Sequence, residues 1–212
     1  MEADLGPVHV ATDHPDIAAA ITNVGGHAIL TRADHPSGTD RIAEALAAID
    51  PGRRYETIVN FQGDLPTVDP GILRRTAALL HNPATDIATP VVQFTDDADA
   101  AKPHIVKMVG AEIAPGQFRA LYFTRAAAPW GLGPYYHHIG LYVWRRDALE
   151  RFVRLPPSPL EIREKLEQLR ALEAGMRIDA VTVDDVPLGV DTEEDLAQAR
   201  HRLALPALAA SR

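Results

Sequence analysis

Two aspartates far apart in the chain each stand where a loop follows an apolar run, a placement from which a carboxylate can reach a divalent cation. Asp64 lies in Asn60-Phe61-Gln62-Gly63-Asp64-Leu65-Pro66, at the end of the strand-like stretch 57–61. A carboxylate there, beside a glycine that lets the backbone approach closely, suits a magnesium ion that keeps waters and bridges phosphates. An aspartate that only starts the turn before Pro66 fits the spacing equally well. Asp191 lies in Pro187-Leu188-Gly189-Val190-Asp191-Thr192-Glu193-Glu194. An aspartate opening a helix with a glutamate three residues on is ordinary capping, and for Asp191 alone that is the stronger reading. Beside Asp64 it supplies a second carboxylate, and the two roles can coexist.

Other segments carry polar groups in usable places. His35-Pro36-Ser37-Gly38-Thr39-Asp40-Arg41 offers hydroxyls and backbone amides at a helix start, which suits a nucleotide base or phosphate. Capping by Thr39 explains the same residues. His138 and Tyr142, in Tyr136-His137-His138-Ile139-Gly140-Leu141-Tyr142, are four apart on a strand-like run. Alternation puts both on one face and His137 on the other, which disfavours an adjacent-histidine metal pair. A satisfied core position fits either residue. Glu167 and Gln168 sit beside an apolar stripe of Ile162, Leu166 and Leu169, where a solvated helix face accounts for them. The chain has no G-x-x-x-x-G-K-[ST], G-x-G-x-x-G or G-x-S-x-G motif, which counts against P-loop NTPases, simple dinucleotide dehydrogenases and serine hydrolases.

The elements that must position these residues alternate. Strand-like 8–12, helical 16–24, strand-like 27–31, helical 41–49, strand-like 57–61, helical 70–80 and strand-like 87–94 predict an α/β fold. The expected form is a mostly parallel sheet with helices on both faces, binding ligands beyond the carboxyl ends of its strands. Asp13, the 35–41 segment and Asp64 all fall in such loops. Further on, 107–109, 120–124 and 139–144 read as antiparallel strands. Ser158-Pro159-Leu160-Glu161 starts a helix expected to run to about Glu173 and end at Gly175. A strand at 178–183 and a final helix opened by 191–194 follow. The chain reads as one domain, 1–205, with a frayed tail at 206–212.

Composition narrows the partners. The 212 residues are 46% hydrophobic and 24% charged with a net charge of −8, so no general basic field exists for gripping nucleic acid. The absence of cysteine excludes disulfides, thiol nucleophiles and Cys-rich zinc sites. The start is acidic, and no run approaches the roughly eighteen apolar residues of a membrane span. The expectation is a cytoplasmic protein with no nucleic-acid or membrane partner.

Taken in order, the segments resemble the 3-deoxy-manno-octulosonate cytidylyltransferases, or CMP-Kdo synthetases, from Val8 to Leu203. The matching stretches are Ala11-Thr12-Asp13-His14, Thr31 through Arg41, Gln62-Gly63-Asp64, Ala120-Leu121-Tyr122-Phe123-Thr124-Arg125 and His138-Ile139-Gly140-Leu141-Tyr142. Ser158-Pro159-Leu160-Glu161, Leu166-Glu167-Gln168-Leu169-Arg170 and Gly189-Val190-Asp191-Thr192 complete the series. The resemblance implies a nucleotidyltransferase fold with a small dimerisation region, and transfer of CMP from CTP to Kdo for lipopolysaccharide synthesis. It implies nucleotide contacts at Ser37, Gly38, Thr39 and Arg41. It also implies Mg2+ on Asp64 and Asp191, sugar-acid contacts at Gln62, Arg125, His138, Tyr142, Glu167 and Gln168, and a homodimer.

That family opens with a strand and a basic loop of the form P-A-R-x-x-S-T-R-L-P-G-K-P-L, for which residues 1–7 have no counterpart. The expectation is therefore a chain without that phosphate loop, in which nucleotide affinity and rate both suffer to the point where the chain as given can be inactive. Leu65 replaces a common glutamate, and the 129–134 loop is short. A non-catalytic dimerising or sugar-acid-binding remnant, and a cytidylyltransferase for another 2-keto sugar acid such as sialic acid, are the alternatives.

Overall fold

The structure is a computed structural model that describes residues 3–190 and 192–204; Asp191 and the tail expected at 206–212 lie outside the described residues. Strand β1 (His9–Thr12) and β2 (His27–Leu30) pair in parallel, joined by helix α1 (Pro15–Asn23). The start of α1 is set by Pro15 at its first turn and by His14, whose Nδ1 accepts from the Asp16 N–H. Helix α2 (Gly38–Ile49) follows, then β3 (Thr57–Asn60), α3 (Pro70–Ala78) with a 3-10 turn at Leu79–His81, and β4 (Ile87–Gln93).

The β5 (Lys107–Ala114) and β6 (Gln117–Thr124) hairpin comes next, followed by β7 (Tyr136–His138) and β8 (Tyr142–Arg145). Helices α4 (Arg146–Phe152), α5 (Pro159–Glu164) and α6 (Gln168–Glu173) precede β9 (Ile178–Thr182) and α7 (Glu193–Ala204). No helix of the described residues is long and apolar enough to cross a membrane.

The α/β character holds, but the sheet is mixed rather than mostly parallel. The large sheet runs β3-β8-β4-β7-β5-β6-β9, with β9 also parallel to β4. The reason is β8, which lies antiparallel between β3 and β4 and separates two strands that share one direction. Among the described residues, β1 and β2 form a separate two-stranded sheet. Alternation along β4 sends Ile87 and Val91 into a core with Leu149 and Phe152 of α4 and Leu169 of α6. Ala88 faces the other way, onto Leu79 and Leu80. Helical elements therefore do cover both faces.

Two further expectations change. The strand expected over 139–144 is interrupted, because His138 pairs with Val91 and Val143 with Ala88, so residues 139–142 face only Thr89 and Pro90. Pro90 has no N–H for the ladder. The Thr89 hydroxyl instead donates to the Leu141 carbonyl at 2.8 Å.

The helix expected from Pro159 to about Glu173 is broken at Lys165, whose φ of 56° is left-handed. Arg170 turns back to Glu161, Nε to Oε2 2.8 Å. On an unbroken helix those residues would be about 13 Å apart along the axis and on opposite faces. The knuckle thus exchanges one turn of helix for a charge-assisted contact and carries Glu167 and Gln168 inward.

Candidate functional site

The site forms where the carboxyl ends of β1, β2 and β3 meet the start of α2. Ser37, not Thr39, caps α2: its Oγ accepts from the Asp40 N–H at 3.2 Å and donates to Asp40 Oδ2 at 2.7 Å. Thr39 is thereby free to turn inward. It is buried, and its Oγ1 donates to Glu167 Oε2 at 2.8 Å while accepting from Asn60 Nδ2 at 3.4 Å. Asn60 Oδ1 accepts in turn from Gln62 Nε2 at 3.3 Å. A Cβ on Gly38 would stand 3.6 Å from that Gln62 amide, an ordinary contact that marks how closely the loop and the β3 end approach.

Arg41 binds the neighbouring loops together. Its Nη1 donates to Thr31 Oγ1 at 2.7 Å and lies 3.3 Å from Asp13 Oδ1. His35 and Glu44 pair closely behind it, the hydrogen bond from His35 holding the Glu44 carboxyl below its usual range against the opposing effect of burial.

The aromatic side of the site is built on the strand interruption. Asn60 is directly opposite Tyr142 in the β3–β8 register, and the Tyr142 and His138 rings lie 5.5 Å apart. His138 is buried with its Nε2 3.0 Å from Thr89 Oγ1. That hydroxyl has its one proton directed to a carbonyl, so it accepts here; Nε2 carries the hydrogen and Nδ1 is the acceptor. Burial, then the neighbouring His137, pushes His138 down to about 3, so the ring is neutral at ordinary pH. Burial and then the Glu167 carboxylate push the Tyr142 phenol far up, so it stays a donor. His137 faces the opposite side, against Phe94, as alternation predicts.

Glu167 and Gln168 close the group. Glu167 Oε1 and Gln168 Nε2 are buried and have no hydrogen-bond partner among the described residues. A buried acceptor and donor without partners are costly, and a bound water or a polar ligand would satisfy them. Arg125 stands one loop away. Its guanidinium donates to the Pro103 (3.1 Å), Glu164 (2.9 Å) and Lys165 carbonyls, and its N–H reaches the Glu164 carboxylate at 3.0 Å.

Asp64 is exposed in the loop after β3. Its carbonyl accepts the Val190 N–H at 2.8 Å, and Thr67 Oγ1 accepts the Leu188 N–H at 3.0 Å, so the segment leading to Asp191 is stitched to the Asp64 loop. Among the described residues no group of three or more metal-ligating side chains forms; Asp64 alone offers an accessible carboxylate here, the type of oxygen donor a hard cation that keeps most of its waters takes.

Gly38, Thr39, Gln62, His138, Tyr142 and Glu167 are thus joined through Asn60 and the β3–β8 register, with Ser37 and Arg41 on the same helix start and Gln168 next to Glu167 in the chain. Arg125 is tied to the loop that leads into Glu167 rather than to the group itself, and Asp191 lies outside the described residues. Sequence reasoning passed over Asn60 and Thr89. A lone asparagine ending an apolar strand, directly before Gln62-Gly63-Asp64, was the available signal for the first.

Residues 2–178 match the sequence model of the cytidylyltransferase family. A 3-deoxy-manno-octulosonate cytidylyltransferase of Methylobacterium nodulans is 63% identical over 202 residues, 95% of this chain and 82% of the relative. One from Nitrobacter hamburgensis is 61% identical over 95% of this chain and 78% of the relative. A solved structure described as CMP:2-keto-3-deoxy-manno-octonic acid synthetase complexed with CTP superposes with a TM-score of 0.85. It is 36% identical and covers 94% of this chain and 81% of its own. With the family model matched over most of its length and relatives above 60% identity spanning nearly all of it, the chain belongs to the cytidylyltransferase family, among the 3-deoxy-manno-octulosonate cytidylyltransferases.

Proposed function

We propose that the chain transfers CMP from CTP to 3-deoxy-D-manno-octulosonate, releasing pyrophosphate and giving CMP-Kdo for lipopolysaccharide synthesis. The observation that carries this reading is the unpartnered acceptor Glu167 Oε1 at the end of the Gln62–Asn60–Thr39 chain, with the unpartnered donor Gln168 Nε2 on the next residue. A polyhydroxylated acid offers both complements.

In this reading Ser37, Gly38, Thr39 and Arg41 form the nucleotide side, where the start of α2 presents amide N–H groups to an anion. Gln62, His138, Tyr142, Glu167 and Gln168 orient the sugar, and Arg125 supplies positive charge for its carboxylate. His138 Nδ1 accepts from a sugar hydroxyl, and the Tyr142 phenol donates. The anomeric hydroxyl attacks the α-phosphorus in line, forming the new P–O bond as the bond to pyrophosphate breaks. No covalent enzyme intermediate is needed, so the chain contributes positioning and electrostatics. Asp64 and Asp191 would hold Mg2+, which when bound offsets charge on the phosphate oxygens.

Pyrophosphate release tests the reading. It is expected to require CTP, Mg2+ and Kdo together, and to fall at least about tenfold with sialic acid, one missing complementary contact being worth about that much. Release that ignores the sugar, or none with any 2-keto sugar acid, would overturn it. We further propose a homodimer, supported by Trp130 and Leu132, which stand fully exposed in the loop between β6 and β7.

A further inference from the structure

Lys107 is completely shielded from solvent, yet no ion pair among the described residues explains it. Its ammonium has three N–H donors, and each meets a main-chain carbonyl: Lys102 at 3.0 Å, Ile105 at 2.7 Å and Arg125 at 2.6 Å. Burying an ammonium without a carboxylate partner is costly, and a methionine would fill the same space without that cost. The charge is therefore spent on something other than packing.

What it holds is a corner. The segment entering β5 and the end of β6 are drawn together by Lys107 from within, while the Arg125 guanidinium grips the same segment at Pro103 from without. The Glu164 carboxylate accepts from Thr124 Oγ1 at 2.9 Å and from the Arg125 N–H at 3.0 Å. Lys102 is matched by Asp99 at 2.5 Å. The cations Lys102, Lys107 and Arg125 stand at this corner with the carboxylates Asp96, Asp99 and Glu164, so its charges are matched.

The corner borders the candidate site on two sides. The carbonyl of Val106 accepts the His138 N–H at 2.9 Å, and Arg125 reaches Lys165, two residues before Glu167.

We propose that Lys107 is a positioning residue for the acidic substrate: it fixes the corner from which the Arg125 guanidinium is presented to the carboxylate of a 2-keto sugar acid. This rests on the sugar-acid reading above. The experiment titrates Kdo and CTP separately into the wild-type chain and into Lys107→Met, with amide exchange measured in parallel.

Lys107→Met is expected to weaken Kdo binding at least tenfold and to leave CTP binding within twofold. Exchange should rise at 102–106 and 124–126 but not in β4 or β9. Lys107→Arg, which keeps the charge and donors, is expected to regain part of the Kdo affinity. A folded Lys107→Met chain that binds Kdo like the wild type, or loses Kdo and CTP binding alike, overturns the positioning role alone. If Lys107→Met does not fold, Lys107→Gln, which keeps two N–H donors, is measured in its place with the same expected loss. Failure of both to fold assigns Lys107 to folding and overturns the proposal. A wild-type chain that binds no 2-keto sugar acid overturns the functional reading, and this inference with it.

Discussion

His138 is buried where its type would ordinarily titrate. Its folded value of about 3 lies below the ordinary 6.5, because burial and then His137 penalise the imidazolium. Between those values the unfolded chain binds a proton that the folded chain refuses. Stability from this group is therefore complete above about pH 6.5 and declines as pH falls toward 3, by up to about 1.4 kcal/mol per pH unit. Urea unfolding at pH 7, 6 and 5 should show that decline, and His138→Gln should flatten it by about one proton; parallel curves would refute the assignment. Kdo binding should show no inflection from His138 above pH 6. For the metal, Asp64→Asn and Asp191→Asn should each cut magnesium-dependent turnover by about a hundredfold or more. A near-normal Asp191→Asn enzyme would return that residue to helix capping.

The residues of the site were legible unevenly. Asp64 and the Ser37–Arg41 stretch show as candidates by position, though a turn and a helix cap explain them equally well. Glu167 and Gln168 do not, since a solvated helix face explains their spacing. Only the resemblance pointed to them.

Among elements, the knuckle between α5 and α6 decides how the site is built. Arg170 lies over the Phe152 ring at 4.6 Å and pairs with Glu161, whose other contact is the Ser158 N–H at 2.9 Å. Arg170→Met keeps the stem but strands Glu161, so a loss of about 3 kcal/mol is expected. Because Glu167 and Gln168 sit in the turn that this contact holds, Kdo affinity should fall together with stability in denaturation and titration experiments. Loss of stability with Kdo affinity unchanged would separate the knuckle from the site. Nothing in Glu164-Lys165-Leu166-Glu167-Gln168 announces the break: these are good helix formers, and tertiary contact overrides their propensity. The start of α5 was readable, by contrast, because caps are local and Ser158 marks it, whereas α2 is capped by Ser37 and not by the expected Thr39.

At the scale of the molecule, the alternation of strands and helices conveyed the α/β class, and helices covering both sheet faces follow from the two-sided burial of β4. The sheet order was not readable. Asn60 pairs with Tyr142, and no periodicity within either strand specifies a neighbour so distant in the chain. The same long-range insertion of β8 brings the His138–Tyr142 face to the end of β3, so the feature that defeated the parallel-sheet expectation also assembles the site. Association belongs to this scale as well. Light scattering should give twice the chain mass, and Trp130→Ser with Leu132→Ser should shift it toward the monomer. A wild-type monomer at micromolar concentration would contradict the dimer.

The most direct measurement is a crystal structure with CTP and Kdo bound. Sugar hydroxyls are expected within hydrogen-bond distance, about 3 Å, of Glu167 Oε1 and Gln168 Nε2, with the anomeric oxygen turned toward the α-phosphate. A sugar seated elsewhere, with those two atoms still unpartnered, would contradict the proposed site and the chemistry built on it.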